Sequence, residues 1–421
     1  MAGWGVVGVA LYLVVVGGVR GGLLNTETED SVVRRQDEQQ RKDVLGAFQR
    51  WIDESVGEMS TLMTPGTGPT RMEWKNRFGF TLTASEPINA GSIILQMPAS
   101  LILDRAKVMQ IEPYKTMFAG KDDVVDDITV LTTCVMMEHN KMLFENRPRQ
   151  RIDNWVNLML YKSTQESPKD SNTCGWFAHE GWQLEEDVIR GNWELVPHLN
   201  QSEKTYAPFK EAMRAVISRS FESDKGIMLV PAFDMLNHHY DANTTLSVYP
   251  PELGDFWELR AERSFREGEQ IYFNYRHTPN FHLFYRYGFA LKNNPDDFLP
   301  IPLRDMKDQS GLEKLPRWWD THPYVIFGPD NRLLDEHLRI LLAYCEGTIA
   351  DESCKAPNKE CCVADILMSH LETLFQKFHG ECTPKVGKTI PKQSPYVHLE
   401  RKFFESVIAQ LQEDRSIHEC D

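Results

Sequence analysis

The order of two kinds of hydrophobic pattern is the strongest constraint on how this chain folds. Alternating, β-branched segments typical of strands occur over residues 78–98 and again over residues 227–275. Residues 122–222 between them, and the chain after Pro295, instead place apolar side chains every three or four positions, as helices do. This order predicts an α+β fold in which a small β domain is interrupted by a helical insert and followed by a mostly helical domain.

The composition is typical of a globular protein and argues against one class of function. The chain has 421 residues, with 46 Lys and Arg against 61 Asp and Glu and a formal net charge of −15. Binding a nucleic-acid phosphate backbone needs a dense basic face, so we expect no nucleic acid among the partners. The acidic balance weakly favours basic partners, such as lysine-rich proteins.

The first 24 residues predict a targeting segment. Residues 1–19 contain no charged side chain, and the apolar run from Val6 to Val16 has signal-peptide length and is short for a membrane span. A basic segment before this run is missing, so an uncleaved signal anchor and a buried N-terminal strand or helix stay open as alternatives. We therefore expect a secretory address (endoplasmic reticulum lumen, secreted or signal-anchored), with membrane attachment only if the segment is retained as an anchor.

Six of the eight cysteines follow residue 340, which favours disulfides in an oxidising compartment. Six cysteines allow fifteen pairings, and the sequence does not choose among them. Free thiols remain an alternative, and zinc a more distant one, because the C-x-x-C pairs typical of structural zinc are absent. The six are Cys345, Cys354, Cys361, Cys362, Cys382 and Cys420.

Two segments of the second strand-rich region carry the side chains most typical of a binding site. In 227-IMLVPAFDMLNHHYDAN-243 an apolar strand leads into Asp234, Asn237 and His238. Taken alone, this pattern also fits a simple turn, because Asn tolerates turn geometry and His commonly pairs with a backbone group. In 266-REGEQIYFNYRHTPNFHLFYRYGFAL-291 eight aromatic residues fall within 18 positions, which indicates an aromatic core or a narrow apolar channel with a few oriented hydroxyls.

Together with two earlier segments, these stretches resemble the SET-domain protein methyltransferases. The resemblance is to the split-SET branch typified by the Rubisco large-subunit lysine methyltransferases and their actin-histidine-methylating relatives. The four segments occur in the family's order and are 78-FGFTLTASEPINAGSIILQMPASLIL-103, 218-SRSF-221, 230-VPAFDMLNH-238 and the stretch from Gly268 to Phe289.

The match to the family pattern is specific but has two departures. The thirteen-residue step from Tyr275 to Gly288 is kept. Thr81 stands where the family usually has a second glycine, and Arg276 stands where small residues are common. The resemblance is strong over residues 70–295 and rests on size and helicity alone beyond them.

The hydrophobic pattern and the resemblance together divide the chain into six parts. Residues 20–43 are polar and charged and are interpreted as a mobile linker, which overlaps the end of the first part and the beginning of the second. The parts are a signal peptide or signal anchor (1–24), a linker and N-terminal helix (25–69), the first part of the SET domain (70–121), the helical insert (122–217), the second part of the SET domain (218–295) and a helical domain similar to the family's substrate-binding domain (296–421).

The resemblance implies methyl transfer from S-adenosyl-L-methionine to an accessible lysine of a non-histone protein, with histidine left open as the acceptor. Tyr275 would place its hydroxyl beside the transferring methyl, and Tyr287 would line the same pocket. Tyr249, eleven residues after His238, is a weaker candidate for the wall of the substrate channel, and an ordinary sheet residue is the alternative. No metal is implied, and we expect a monomer.

The resemblance also assigns the cofactor-binding residues. The main chain at Phe78 and Phe80 would hold the methionine part of the cofactor. Arg219 would pair with its carboxylate, a task that suits a bidentate guanidinium. Asn237 and His238 would fix the amino and adenine groups, with Asp234 supporting that turn.

Physical chemistry explains what such a site must achieve. A free lysine has a pKa near 10.4, so most of it is protonated and unreactive at pH 7. An apolar channel and a nearby cation both disfavour the ammonium form. Holding nitrogen, methyl carbon and sulfur in line lowers the barrier further.

Two other functional classes remain open at this point. The departures at Thr81 and Arg276, together with a secretory address, suggest a catalytically silent interaction protein built on the same fold. A metallohydrolase using His238, His239 and Asp241 is a remote third option, because no metal-ligand spacing supports it.

Overall fold

The computed structural model describes the chain in separate stretches. Phe78 lies outside them, as do the predicted targeting segment over residues 1–24 and three of the cysteines, Cys174, Cys354 and Cys382. The described residues are 29–57, 69–75, 79–121, 124–140, 153–160, 176–196, 199, 202–250, 252, 255–302, 324–350, 356–379, 395–418 and 420.

The helices and strands follow the order that the hydrophobic pattern predicts, and the α+β prediction is confirmed. The helices are α1 (Glu29–Gly57), α2 (Arg105–Val108), α3 (Tyr114–Met117), α4 (Asp127–His139), α5 (Asp153–Leu160), α6 (Trp176–Leu195), α7 (Tyr206–Arg219), α8 (Asn280–Tyr287), α9 (Asp335–Ala350), α10 (Lys359–His379) and α11 (Pro395–Ile417). The strands are β1 (Thr70–Lys75), β2 (Gly79–Ala84), β3 (Ile93–Pro98), β4 (Leu103–Asp104), β5 (Ser220–Ser223), β6 (Gly226–Leu229), β7 (Asn237–His238), β8 (Thr244–Tyr249), β9 (Phe256–Ala261), β10 (Tyr272–Phe273), β11 (Leu299–Pro302) and β12 (Tyr324–Phe327).

The N-terminal helix is longer than the sequence pattern predicts. α1 begins at Glu29, so residues 29–43 of the segment interpreted as a mobile linker are helical, and the linker role stays a prediction. The segment is rich in Glu, Gln, Lys and Arg, which favour helix, and pairs such as Lys42 Nζ with Glu38 Oε1 at 2.8 Å stabilise it. The boundary between two compact units of the chain falls within this helix, after Asp43, and the features described below belong to the second unit.

The sheets join segments that are far apart in the sequence. β9 pairs antiparallel with β3 on one side and with β8 on the other. β6 lies in the same way between β4 and β5. β2 pairs with β1, and on its other side the Leu82 carbonyl accepts a hydrogen bond from the Ile271 N–H at 2.9 Å. The helical insert is therefore a long excursion between two halves of one β region.

The insert packs onto this β region through α4. Every side chain of α4 from Thr129 to Glu138 is buried, as expected for a helix covered on all sides. α5, α7 and β6 contact it. The one acidic side chain in this buried stretch, Glu138, is compensated because the Tyr114 hydroxyl donates to its Oε1 at 2.8 Å.

The C-terminal part of the chain has a hydrophobic core of its own. Buried side chains of α9, α10, α11 and β12 form it, including Leu341, Leu371, Phe404 and Phe327. A disulfide between Cys361 and Cys420, with a Cα–Cα distance of 5.4 Å, joins the beginning of α10 to the end of the chain. Cys345 and Cys362 are also buried in this core.

Differences from the predicted elements occur where strands are short. The helical pattern of residues 122–222 extends beyond its last helix, because α7 ends at Arg219 and β5 begins at the next residue. β11 and β12 form an antiparallel pair within a region that the pattern predicts as helical. Among the described helices, none combines the length and apolar character needed to cross a membrane.

Candidate active site

A short parallel pair of strands organises the site. In this pair Tyr272 and Phe273 of β10 lie opposite Asn237 and His238 of β7. The contact continues beyond the strand, where the Tyr275 N–H donates to His238 Nδ1 at 3.0 Å. The pairing therefore places the predicted Asn-His turn directly beside the aromatic segment.

Tyr275 lies within an aromatic cluster. Its hydroxyl donates to the Leu236 carbonyl at 2.5 Å. Its ring centroid is 4.7 Å from that of Tyr287 and 5.1 Å from that of His238, and Phe289 lies 6.2 Å from both of these rings. Burial raises the pKa of the Tyr275 hydroxyl above its ordinary value, so at neutral pH the group remains a protonated donor.

His238 is a buried, neutral imidazole. Burial lowers its pKa to about 4, and the neighbouring His239 contributes in the same direction. Because Nδ1 accepts the Tyr275 N–H, the ring proton belongs on Nε2. The His238 ring thus holds the backbone that carries Tyr275.

Arg219 and Asp234 form the second part of the site. α7 ends at Arg219, whose Nη1 donates to the Asp234 main-chain oxygen at 2.9 Å and lies 3.9 Å from Asp234 Oδ2. Asp234 sits in a single helical turn, Phe233–Met235, that follows Ala232 with a φ of +66°. The Asp234 side chain has no exposed surface, whereas that of Arg219 keeps 23%.

A tryptophan of the insert completes the surroundings of Asp234. Trp155 of α5 is fully buried, and its Nε1–H donates to Asp234 Oδ2 at 3.2 Å. Burial raises the pKa of the Asp234 carboxyl to about 6, against the opposing effects of Arg219 and of the Trp155 hydrogen bond. The carboxyl is therefore charged at neutral pH, at an energetic cost that these two neighbours reduce.

Asn237, the first residue of β7, carries a buried side-chain donor. Within the described stretches, its Nδ2 is buried and has no hydrogen-bond partner. A buried amide donor left in this state costs free energy unless something else accepts from it. This atom is therefore suited to a ligand.

Phe80 lies on β2 beside these elements. The side chain is buried and packs edge-on against Trp74 of β1, with ring centroids 5.0 Å apart. β2 contacts the turn Phe233–Met235, so the strand that carries Phe80 lies beside the Asp234 segment. Phe78 falls outside the described residues.

Tyr287 is positioned by α8 and by a buried amide clamp at the start of that helix. Asn280 Nδ2 donates to the Leu291 carbonyl at 3.0 Å and to Asp297 Oδ2 at 2.7 Å. Its Oδ1 accepts from the Leu291 N–H at 2.8 Å. Tyr287 is the last helical residue, and Gly288 ends the helix with a left-handed φ of +78°. The conformation that glycine allows explains the spacing noted in the sequence.

Both departures from the family pattern are accommodated outside the aromatic cluster. Arg276 has a left-handed φ of +76°, which explains why small residues suit this position. Its exposed side chain reaches Glu222, with Nη1 3.2 Å from Oε2. Thr81 is a buried strand residue opposite Glu73 in the β1–β2 pair, so this position does not need glycine.

Tyr249 does not share the contacts of the other candidates. Its ring stacks on Phe256 with centroids 4.5 Å apart, and its hydroxyl donates to Glu258 Oε1 at 3.3 Å. The opposite end of β8 approaches β10, where the Thr244 hydroxyl donates to the Tyr272 carbonyl at 2.8 Å. Five residue-to-residue steps along β8 separate Thr244 from Tyr249, a distance of about 17 Å. The structure therefore gives Tyr249 the surroundings of a sheet residue, and its channel role stays a prediction.

Sequence reasoning did not single out Trp155 or Asn280. Trp155 lies in a helical stretch whose apolar spacing indicates only a buried face. Asn280 follows a proline at the beginning of α8, a position that suggests a helix start rather than a clamp. Neither residue carries a local signal for its partner.

Comparison with known families identifies the β region. The model of the SET domain matches residues 79–276, which contain β2 to β10 and the insert. SET domain-containing protein 4 of Artemia parthenogenetica is 27% identical over 126 residues, a match that covers 28% of this chain and 31% of that protein. The chain thus matches about a third of the length of this curated relative.

Solved structures resemble this chain over most of its length. The SET domain of LSMT bound to lysine and AdoHcy has a TM-score of 0.61 and 16% identity, covering 90% of this chain and 91% of that one. Rubisco LSMT bound to AdoMet has a TM-score of 0.58 and 17% identity, covering 89% and 91%. At this identity the likeness establishes the fold, and the prediction of a SET fold followed by a helical C-terminal region is confirmed.

Proposed function

We propose that this chain, which contains a SET domain over residues 79–276, is an S-adenosyl-L-methionine-dependent protein methyltransferase that acts on lysine. The observation that carries the proposal is the convergence of Tyr275, His238 and Asn237 at one parallel strand pair. The LSMT structures similar in fold are complexes with AdoMet, or with lysine and AdoHcy.

The donors around Asp234 fit the polar groups of this cofactor. Arg219 is partly exposed and, among the described residues, hydrogen-bonds only to the Asp234 carbonyl and Met235 Sδ, so further guanidinium donors remain for a carboxylate. Asn237 Nδ2 is a buried donor that a ligand acceptor would satisfy. We assign Arg219, Asn237, His238 and the main chain of Phe80 to cofactor binding, with Asp234 supporting them.

When bound, S-adenosylmethionine supplies an activated methyl group on a sulfonium sulfur. The protein contributes orientation and a low-dielectric wall. Tyr275 stays protonated because burial raises its pKa, so its hydroxyl orients and does not act as a base. The rings of Tyr275, Tyr287 and Phe289 form an apolar surface that disfavours an ammonium ion and so favours the neutral amine that attacks.

The catalytically silent alternative receives no support from the two departures that motivated it. Arg276 lies on the surface against Glu222, and Thr81 is a regular strand residue. Neither side chain is one of the rings around Tyr275, and the Arg276 charge acts on this cluster by opposing the rise that burial causes in the pKa of Tyr287. We therefore retain the enzyme as the proposal and leave the silent protein as an outcome of the test.

The test compares two tyrosine variants. Tyr275→Phe removes the hydroxyl at the centre of the cluster, and Tyr272→Phe, whose ring contacts His239 at 5.4 Å, is the matched control in the same segment. With tritiated S-adenosylmethionine and lysine-containing protein substrates, we expect methylation to be lost in the first variant and kept in the second. Undiminished methylation by Tyr275→Phe would remove the assigned role, and absence of cofactor binding at millimolar ligand would favour the silent protein.

Acceptor identity is read from the product. Acid hydrolysis and amino-acid analysis of the labelled protein separate methyllysine from methylhistidine. We propose methyllysine, with a monomeric enzyme and a protein substrate. Label recovered as methylhistidine would keep the methyltransferase and change its acceptor.

We also propose that the protein enters the secretory pathway. The uncharged N-terminal run over residues 1–19 supports this, and the Cys361–Cys420 disulfide is compatible with it. Mass spectrometry of the mature protein from expressing cells gives its N-terminus. A mature chain that still begins at Met1 in a cytosolic fraction would contradict the proposal.

A further inference from the structure

The Asp234 carboxylate has a protein neighbour that the sequence resemblance does not assign. Among the described residues, Trp155 makes the only side-chain hydrogen bond to this carboxylate, through Nε1–H at 3.2 Å. The carboxylate lies 3.9 Å from Arg219, and it has no exposed surface. A buried charge without enough donors rotates or becomes protonated, so this donor affects both orientation and charge.

Trp155 is itself held in place by aromatic packing. Its ring is stacked on Trp51 of α1, with centroids 6.2 Å apart and an interplanar angle of 10°. Trp51 is buried and packs in turn on Phe48 at 5.6 Å. The chain of contacts runs from the second half of α1 through α5 to the turn that contains Asp234.

Three elements therefore meet at one carboxylate. α7 ends there with Arg219, α5 contributes Trp155, and the turn before β7 contributes Asp234 itself. α5 also contacts α7, so the indole and the guanidinium are carried by helices packed against each other. Arg219 Nη1 donates to the Asp234 main-chain oxygen at 2.9 Å and lies 3.9 Å from Oδ2, so both the turn and its carboxylate act on the direction of the guanidinium.

We propose that Trp155 is a positioning residue for cofactor binding: its indole N–H orients the Asp234 carboxylate, which in turn orients Arg219, and its stack on Trp51 makes the N-terminal helix a structural part of the cofactor site. This inference rests on the proposed function, because it assumes that Arg219 receives the cofactor. It adds a residue of the helical insert and a residue of α1 to a site otherwise built from the SET domain.

Trp155→Phe tests the hydrogen bond, because phenylalanine keeps a stacking ring and removes the donor. Trp193→Phe is the matched control: Trp193 is also buried in the insert, and its Nε1–H donates to Thr205 Oγ1 at 3.1 Å, away from Asp234. Calorimetric titration with S-adenosylhomocysteine gives the dissociation constant of each protein. We expect an increase of about tenfold for Trp155→Phe, the size expected for losing a charge-assisted hydrogen bond, and no change for Trp193→Phe.

A double-mutant cycle separates positioning from general loss of structure. In an Asp234→Ala background no side-chain oxygen is left to accept the indole N–H, so Trp155→Phe should change the dissociation constant by less than about threefold. The charged or titratable groups facing Asp234 are Arg219 and Tyr275, and neither is altered in the cycle. An equal effect in both backgrounds would overturn the inference.

Failure of the inference is distinguishable from failure of the proposed function. If the unaltered protein does not bind S-adenosylhomocysteine, the proposed function fails and the inference with it. If the unaltered protein binds and Trp155→Phe binds equally tightly, the function stands and the inference is wrong. Trp51→Leu breaks the stack and leaves the indole N–H of Trp155 in place. We expect it to raise the dissociation constant for S-adenosylhomocysteine, whereas the control Trp193→Phe does not. An unchanged constant in Trp51→Leu would show that α1 is not part of the site.

Discussion

Replacing Asp234 with asparagine should stabilise the protein, and the gain in the free energy of unfolding should be larger at neutral pH than in acid. The side chain is completely buried, and burial raises its pKa from 3.8 to about 6 in the folded protein. A carboxyl whose pKa is higher in the folded state binds its proton more tightly there. Its contribution to the free energy of unfolding therefore falls as the pH rises from about 4 to 6.

The magnitude follows from these two pKa values. At pH 7.5 the carboxylate is charged in both states, and the shift corresponds to a cost of about 3 kcal/mol. At pH 4.5 the folded carboxyl is protonated and the cost is about 1 kcal/mol. Since asparagine does not titrate, the stability difference between variant and unaltered protein should grow by about 2 kcal/mol between these two pH values.

Urea denaturation of both proteins at pH 4.5 and pH 7.5 measures this difference. Taking the difference between proteins cancels the contributions of other titrating groups. One of them is His238, whose lowered pKa of about 4 acts in the opposite direction over the same range. Asp224→Asn, in the exposed turn between β5 and β6, controls for the loss of one negative charge.

A stability difference that is the same at both pH values would refute the reasoning, because the ionisation of Asp234 would then cost nothing in the folded state. The same variant should bind S-adenosylhomocysteine more weakly, since Arg219 loses the carboxylate that lies 3.9 Å away. Stability and binding would then change in opposite directions at pH 7.5.

Four further substitutions test local features by urea denaturation. Gly226→Ala should lower the free energy of unfolding by about 2 kcal/mol or more, because φ is +104° and the added Cβ would clash with Asp127 Oδ2. The control Gly91→Ala, with φ +81° and open space around the position, should lower it by about 1 kcal/mol. Equal losses in the two variants would remove the steric argument. Arg276→Gly should raise the free energy of unfolding by about 0.5–1 kcal/mol, because glycine adopts a φ of +76° without strain. A lower free energy of unfolding would mean that the ion pair with Glu222 contributes more than the strain costs. Asn280→Ala should cost about 3 kcal/mol and lower kcat by loosening α8, and unchanged stability would show that the clamp is dispensable.

The sequence predicts the parts of this fold that depend on local pattern. Alternation and β-branched content identify β2, β3, β8 and β9, and helical spacing identifies α4, α7 and α9 to α11, because these patterns are contained within each segment. The aromatic segment contains features of both predicted alternatives. Phe284 is buried, as in an aromatic core, whereas the rings of Tyr275 and Tyr287 lie 4.7 Å apart, as in a channel with oriented hydroxyls.

What the sequence does not predict depends on tertiary contact. β7 and β10 contain two residues each, too few for any periodic pattern, and they exist because Asn237 and Tyr272 meet across the fold. The hydrogen bond of Trp155 joins residues 79 positions apart, so no local motif can indicate it. Charged helix formers likewise read as linker before residue 43, although α1 continues through them.

The pairing of β2 with the segment that precedes β10 has a consequence for how the protein folds. Leu82 and Ile271 are hydrogen-bonded, and nearly the whole SET domain, including the insert, separates them along the chain. A growing polypeptide cannot make this contact until the insert has been synthesised, and closing so long a loop is slow. Until then β2 is an unprotected strand edge, so nascent chains that stall within the insert should be the ones that need chaperones.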